Sequence, residues 1–264
     1  IIKSETPISV NAVAKSAEAS TPNDTTKPKI PATPTTSEAS AIARRSVRTV
    51  TMIANETLVA SDGYEVALFP MPYLYMTQDE GGDYSHTGTY NVDFVGYNGI
   101  SVISHAPLYA PCTMKVISYH PGQTGGNAVI FESVNKVHFA DGTLDYMTLM
   151  YMHCEAPPYT NVGQVVNQGR LCYRTGSYGY VTGDHVHSCI GRGQGGTFIQ
   201  RPSGNYDLSN RIHYWDGAYV NNTVIIQGYG HNWRTYDGGV TPPTPTKERS
   251  KFPWVLYARK LRST

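Results

Sequence analysis

Gly183-Asp184-His185-Val186-His187-Ser188-Cys189 is the stretch on which the reading of this chain turns. Tyr178, Tyr180, Val181 and Val186 around it are β-formers, so the segment reads as strand. Successive strand side chains alternate between faces. His185 and His187 therefore share one face, roughly 6–7 Å apart by the strand rise. Such a pair can bind one metal through one ring and hold the other ring beside it. Two histidines at this spacing are, by themselves, more often a coincidence of strand sequence than a site. The partners have to come from elsewhere in the chain.

Working upstream, strand-like runs recur at Tyr64–Leu68, Tyr73–Thr77, Ile100–Ile103, Met114–Tyr119, Ala128–Ser133, Asp145–His153 and Arg170–Arg174. Turns containing Gly or Pro separate them, with Pro70-Met71-Pro72 the sharpest break. Gln78–Ser85 reads as a polar loop. Downstream of His185–Ile190 the chain is loop-rich to about Asn210, and Val220–Gln227 reads as one more strand. No stretch has a convincing helical period. Twenty Tyr and 25 Gly agree with a β-rich, turn-rich domain.

The two ends differ from the middle. Ser20–Ser40 is dominated by Thr, Pro, Ala and Ser, too polar to offset the chain entropy lost on folding. Residues 1–60 are expected to form an extended arm or linker, with a basic cluster at Arg44, Arg45 and Arg48. Residues 61–240 are expected to form the folded domain. Residues 241–264 begin with the stiff run Thr241-Pro242-Pro243-Thr244-Pro245-Thr246 and continue as a basic tail carrying Trp254-Val255-Leu256-Tyr257. That tail is expected to pack on a neighbour in an assembly, or on an acidic wall or membrane surface.

A formal net charge of +1 and the absence of a basic stripe argue against nucleic acid as a partner. No run of 18 apolar residues exists, so no transmembrane segment is expected. The chain opens at Ile1 with neither methionine nor an apolar signal core. A removed leader, export that uses none, and a fragment of a longer product are all compatible with this. Cys112, Cys154, Cys172 and Cys189 form no C-x-x-C pair, which disfavours a zinc ribbon. Their even number permits two disulfides, but their apolar surroundings favour free buried thiols.

Five segments then fall in an order that resembles the M23 zinc metallopeptidases, the lysostaphin-like or LytM-like peptidoglycan endopeptidases. His86 followed by Val92-Asp93-Phe94 resembles the first zinc motif of that family. Leu108-Tyr109-Ala110-Pro111 with Met114-Lys115-Val116 resembles the strand pair after it. Tyr151-Met152-His153 resembles the family's Tyr-x-His. Val162-Gly163-Gln164-Val165-Val166-Asn167-Gln168-Gly169 resembles its Val-Gly-x-x-Val-x-x-Gly turn. Thr175-Gly176, then Thr182-Gly183-Asp184-His185-Val186-His187, resembles its closing Thr-Gly and Thr-Gly-Pro-His-x-His. The resemblance spans roughly residues 75–192.

It implies a mainly β fold, an antiparallel sheet with long groove-forming loops, flanked here by extended N- and C-terminal segments. It implies Zn²⁺ held by His86, Asp93 and His187, with His153 and His185 as catalytic histidines. Zinc sites of catalytic type take about three such ligands and leave one position open. Histidine suits the proton traffic because its affinity lies near neutral pH. The implied substrate is the peptide stem or cross-bridge of bacterial peptidoglycan. The low-complexity arm and basic tail add the expectation of a virion-associated, tail-tip enzyme contacting other virion proteins, or of a secreted one. The alternative is a structural or delivery component with weak or no catalysis.

Departures from the pattern carry their own expectations. Six residues separate His86 from Asp93, where the shortest family form has three. Asp184 replaces the usual proline, either as an acceptor orienting His185 or, more simply, as a turn residue. Cys189 is expected in the core. Tyr173, Tyr178 and Tyr180 are candidates for a groove wall and equally for plain strand material. His105, His120, His138, His213 and His231 match no family position and are expected in surface or packing roles, with His105 nearest the cleft.

Overall fold

The structure, a computed structural model, describes residues 57–122, 125–221 and 223–238. The arm expected over residues 1–60 lies outside the described residues up to position 56, and the proline linker and basic tail of 241–264 lie outside them altogether.

The fold is mainly β and organised on one nine-stranded sheet. Its strands are β1 (Tyr73–Gln78), β2 (Val92–Phe94), β3 (Met114–His120), β4 (Ala128–Ser133), β5 (Met147–Met152), β6 (Val165–Val166), β7 (Val186–Arg192), β8 (Arg211–Ile212) and β9 (Val224–Gln227). They lie in the order β6-β3-β4-β5-β7-β2-β1-β9. Every pairing is antiparallel except β9 on β1. β7 is central: β5 takes one of its edges along its length, while β2 and the short β8 divide the other.

Alternation along β5 and β7 sends the side chains of both strands into two separate cores. Met147, Leu149, Tyr151, Val186 and Ile190 face the larger core with Phe69, Phe94, Phe131 and Tyr214. Met150, Met152 and Cys189 face a second cluster with Ile130 and Leu208. A sheet covered on both faces needs no polar face. Each fully buried Leu, Ile or Phe here contributes about 1.5–3 kcal/mol.

The longer strands lie where the sequence places them. The shorter ones do not announce themselves. The stretch read as loop-rich after Ile190 contains a hairpin, Phe198–Gln200 paired with Tyr206–Leu208. β6 lies inside a segment read as a turn. A strand of two or three residues is too short to display a period of two. The α-helix among the described residues is the single turn Tyr214–Gly217. All four cysteines are buried free thiols.

Candidate metal centre

The pairing of the three central strands sets up the site. In the β7–β2 ladder His187 stands directly opposite Asp93, and in the β7–β5 ladder it stands opposite Met152. Directly opposed residues have Cβ atoms about 4.5–5.5 Å apart, within reach of a shared ion. His153 follows Met152 immediately beyond the end of β5. His86 comes from the 3₁₀ turn Tyr84–His86 in the loop between β1 and β2. His185 precedes β7 and is bridged to Gly176.

His86, Asp93 and His187 each offer one ligand atom within 4.8 Å of the others. His86 Nε2 lies 3.1 Å from Asp93 Oδ1 and 3.2 Å from His187 Nδ1, and His187 Nδ1 lies 3.0 Å from Asp93 Oδ1. Ligands about 2.0–2.1 Å from a tetrahedral zinc stand about 3.3–3.4 Å apart, so the separations are of the size a zinc site needs. All three side chains are buried. The longer loop between His86 and Asp93 still brings His86 Nε2 against Asp93 and His187.

The donor chemistry fits a cation. His86 Nδ1 donates to the carbonyl of Asp79 at 2.8 Å, which leaves the lone pair of a neutral ring on Nε2, pointing at the centre. An ionised Asp93 is acceptor-only. Lone pairs converging in a buried space need a proton or a metal between them. The electrostatics respond accordingly. Burial opposes ionisation of Asp93, but the charges of His86 and His185 and the hydrogen bonds with His187 and His86 outweigh it and hold the carboxyl well below its usual range. Burial pulls His86 down, yet the Asp93 charge and hydrogen bond carry it above the ordinary histidine value. His187 stays below that value because burial outweighs its bond to Asp93.

His153 and His185 complete the cluster. Their rings are 4.7 Å apart at the centroids, and the His153 ring is 5.9 Å from that of His187. His185 Nε2 lies 3.6 Å from Asp93 Oδ2, on the side of the carboxylate away from the ligand triangle. Both rings repeat the device seen at His86. His153 Nδ1 donates to the Tyr178 carbonyl at 3.0 Å, and His185 Nδ1 to the Gly183 carbonyl at 2.9 Å. In each neutral ring Nε2 is then the free acceptor. Burial, with the adjacent His185 and His187, depresses His153 to about 3, so it stays neutral.

The backbone at His153 is itself unusual. Its φ of 85° lies in the left-handed region that side chains avoid. Its N–H donates to the Gly126 carbonyl. Gly126 is packed so closely that a Cβ there would meet His153 Nδ1 at 2.3 Å and the Tyr178 carbonyl at 2.4 Å.

The remaining sequence candidates sort cleanly. Asp184 Oδ2 accepts from the His105 backbone N–H at 3.0 Å, tying the turn before His185 to the 105 loop; the contact that orients His185 is the Gly183 carbonyl. His105, as expected of it, lies at this rim, 3.3 Å from Glu155. The Cys189 thiol meets Asp207 within the second core cluster. Tyr173 is no groove wall: it is buried, its hydroxyl donating to the Asn127 carbonyl and accepting from the Cys154 N–H. Tyr180 is exposed, and Tyr178 serves the site through its carbonyl. Asp79 and Gly126 carry no signal in the sequence, and the sequence marks Tyr178 only through its side chain, because each acts through its main chain. His213 and His231, expected in surface or packing roles, hold Glu80 and Asp79, the two residues that follow β1.

No protein-family model matches the chain. Morphogenesis protein 1 of Bacillus phage B103 is 34% identical to it over 180 residues, 67% of this chain and 46% of that protein. The chain thus spans about half the length of the curated relative it matches. Similar solved structures include a zinc-containing peptidase from Vibrio cholerae, 20% identical over 51% of this chain and 42% of that one, with a TM-score of 0.34. The catalytic domain of lysostaphin from Staphylococcus simulans is 22% identical over 46% of this chain and 80% of that one, with a TM-score of 0.33. The catalytic domain of EnpA, a prophage-encoded M23 protein of Enterococcus faecalis, is 19% identical over 59% of this chain and 91% of that one, with a TM-score of 0.33.

Proposed function

We propose that this protein is a zinc-dependent endopeptidase that hydrolyses peptide bonds in bacterial peptidoglycan. The observation that carries the proposal is the convergence of His86 Nε2, Asp93 Oδ1 and His187 Nδ1 within 3.0–3.2 Å, with two further imidazoles against them. Those three atoms would hold Zn²⁺. When bound, zinc supplies Lewis acidity, polarising a carbonyl and making water acidic enough to act as a nucleophile near neutral pH.

The other contributions belong to the chain. The His153 Nδ1–H is pinned to the Tyr178 carbonyl, so the Nε2 lone pair is left as the acceptor for the proton of the attacking water. His185 is fixed by the Gly183 carbonyl in the same way. Between them the two rings would take the proton of the attacking water, hydrogen-bond the developing oxyanion, and return that same proton to the leaving amine. The substrate class rests on the ordered motifs between His86 and His187.

Metal analysis and turbidity loss on purified cell walls test this reading. Wild-type protein is expected to carry about one zinc per chain and to lyse walls, while His187→Ala does neither. Wild-type protein without zinc, or wall lysis unchanged in His187→Ala, would sink it.

The phage relative favours a second reading, in which the domain serves an assembly and catalysis is secondary. Residues 1–60 and 241–264 would then contact other virion proteins, with residues 61–240 as the folded domain. Virion-associated and enzymatic roles are compatible; an assembly component without catalysis predicts the protein in purified particles and intact walls in the turbidity assay.

A further inference from the structure

The His86 nitrogen that faces away from the ligand cluster donates to the Asp79 carbonyl. The question is what holds that carbonyl. Asp79 and Glu80 follow the end of β1, and each grips a histidine from the far C-terminal part of the chain. His231 Nε2 lies 2.8 and 2.9 Å from the two Asp79 carboxylate oxygens. His213 Nδ1 lies 2.5 Å from Glu80 Oε2, and the Tyr214 N–H donates to Glu80 Oε1 at 2.8 Å.

The two histidines are not independent. Trp215 is sandwiched between them, its ring 3.5 Å from His231 and 4.7 Å from His213, with planes 13° and 12° from parallel. Tyr90 covers the other face of His213 at 4.4 Å and 14°. Four rings thus form one continuous column. Tyr90 belongs to the same loop that carries His86 into β2. The column is therefore closed at both ends on that loop: through Asp79 on one side of His86 and through Tyr90 on the other. Stacked rings restrict each other's rotation as well as their position.

We propose that this column is a positioning brace for His86. Residues 213, 215 and 231 lie beyond the segment that carries the metal motifs, yet they clamp Asp79 so that its carbonyl fixes the ring angle of the first ligand. His231 and Trp215 are positioning residues and touch no reacting atom. The long His86–Asp93 loop gives the brace its purpose, since a longer loop alone would hold His86 less firmly. The inference rests on the metal reading given above.

The test compares full-length wild-type protein with His231→Ala, Trp215→Leu and His231→Gln. Zinc affinity is measured by chelator competition, and ligand geometry by the visible spectrum of the cobalt(II)-loaded protein. Asp62→Ala, which breaks the ion pair with His138, controls for general destabilisation. Partners that orient metal ligands are worth about 10–100-fold in affinity. His231→Ala and Trp215→Leu are expected to weaken zinc by about tenfold and to alter the cobalt bands. His231→Gln keeps an N–H for Asp79 and a planar group for Trp215, and is expected to recover most of the loss. Unchanged affinity and spectrum in the two disruptive variants would overturn the brace while leaving the metal site standing. So would a loss no larger than that of Asp62→Ala at matched stability. Failure of the wild-type protein to bind zinc would overturn both readings.

Discussion

Asp93 is enclosed by three imidazoles, two against Oδ1 and one facing Oδ2. A carboxylate so buried survives only because positive or metal charge stands beside it. Asp93→Asn keeps the shape and removes the charge. It is expected to lower zinc affinity by at least about 100-fold, checked by chelator competition, more than loss of an outer partner costs. Gly126→Ala makes a different cut. Its added Cβ would lie 2.3 Å from His153 Nδ1, so the His153 ring must move off the Tyr178 carbonyl. Because His153 is outside the ligand triangle, zinc content should stay near wild type while kcat on wall substrate falls about 100-fold or more, in line with loss of a general base. Equal loss of zinc and activity would contradict that division of labour. At this scale the sequence is informative wherever a side chain does the work. The five site residues stand in recognisable motifs. The carbonyls of Asp79, Tyr178 and Gly183, which set three imidazole tautomers, have no residue signature at all.

β7 carries the site because it is central and because its period of two divides its labour. Val186 and Ile190 enter the larger core, while His187 and Cys189 turn to the other face. That division can be read directly from the alternation. Beyond β7 the strand Val224–Gln227 falls within the expected Val220–Gln227, but the hairpin of Phe198–Gln200 with Tyr206–Leu208 does not announce itself, since its strands are too short to repeat a pattern. Asp207 is fully buried in the Tyr206–Leu208 strand and is met by Arg201 at 3.1 Å and by Arg211. Asp207→Ala would leave two guanidinium groups without their acid and should cost about 3 kcal/mol in denaturant unfolding, the low end for breaking a buried pair. Glu80, at the base of the ring column, has a pH signature of its own. Burial pushes its carboxyl up to about 7 against its hydrogen bonds from His213 and Tyr214. A raised carboxyl means the folded state holds a proton that the unfolded chain releases near pH 4.5. The destabilisation is absent below that pH and grows as pH rises to about 7. Glu80→Gln should therefore flatten the fall in stability between about pH 5 and 7, by roughly 1–3 kcal/mol. Parallel urea curves for variant and wild type across that range would refute it.

For the whole molecule, the ligand triangle joins parts of the chain that are far apart in sequence. His86 and His187 are 101 residues apart, and they meet through Asp93 at the junction of β2 with β7. An ion bound there cross-links the loop after β1 to the central strand, and the unfolded chain has no equivalent site. Its binding energy is therefore added to folding stability. With free zinc at about 1,000 times its Kd the gain is about 4 kcal/mol. For a domain of this size each kcal/mol raises Tm by about 2–4 °C, giving about 8–16 °C between chelator-treated and zinc-loaded protein. Calorimetric scans with and without chelator measure it. His187→Ala should show almost no difference between the two. The sign with pH follows from the proposed ligands: protons would compete with zinc first for His86, held above the ordinary histidine value, and then for His187, held below it, so the increment should shrink as pH falls. An increment that persisted unchanged at pH 5, or that survived in His187→Ala, would mean the ion binds elsewhere on the chain.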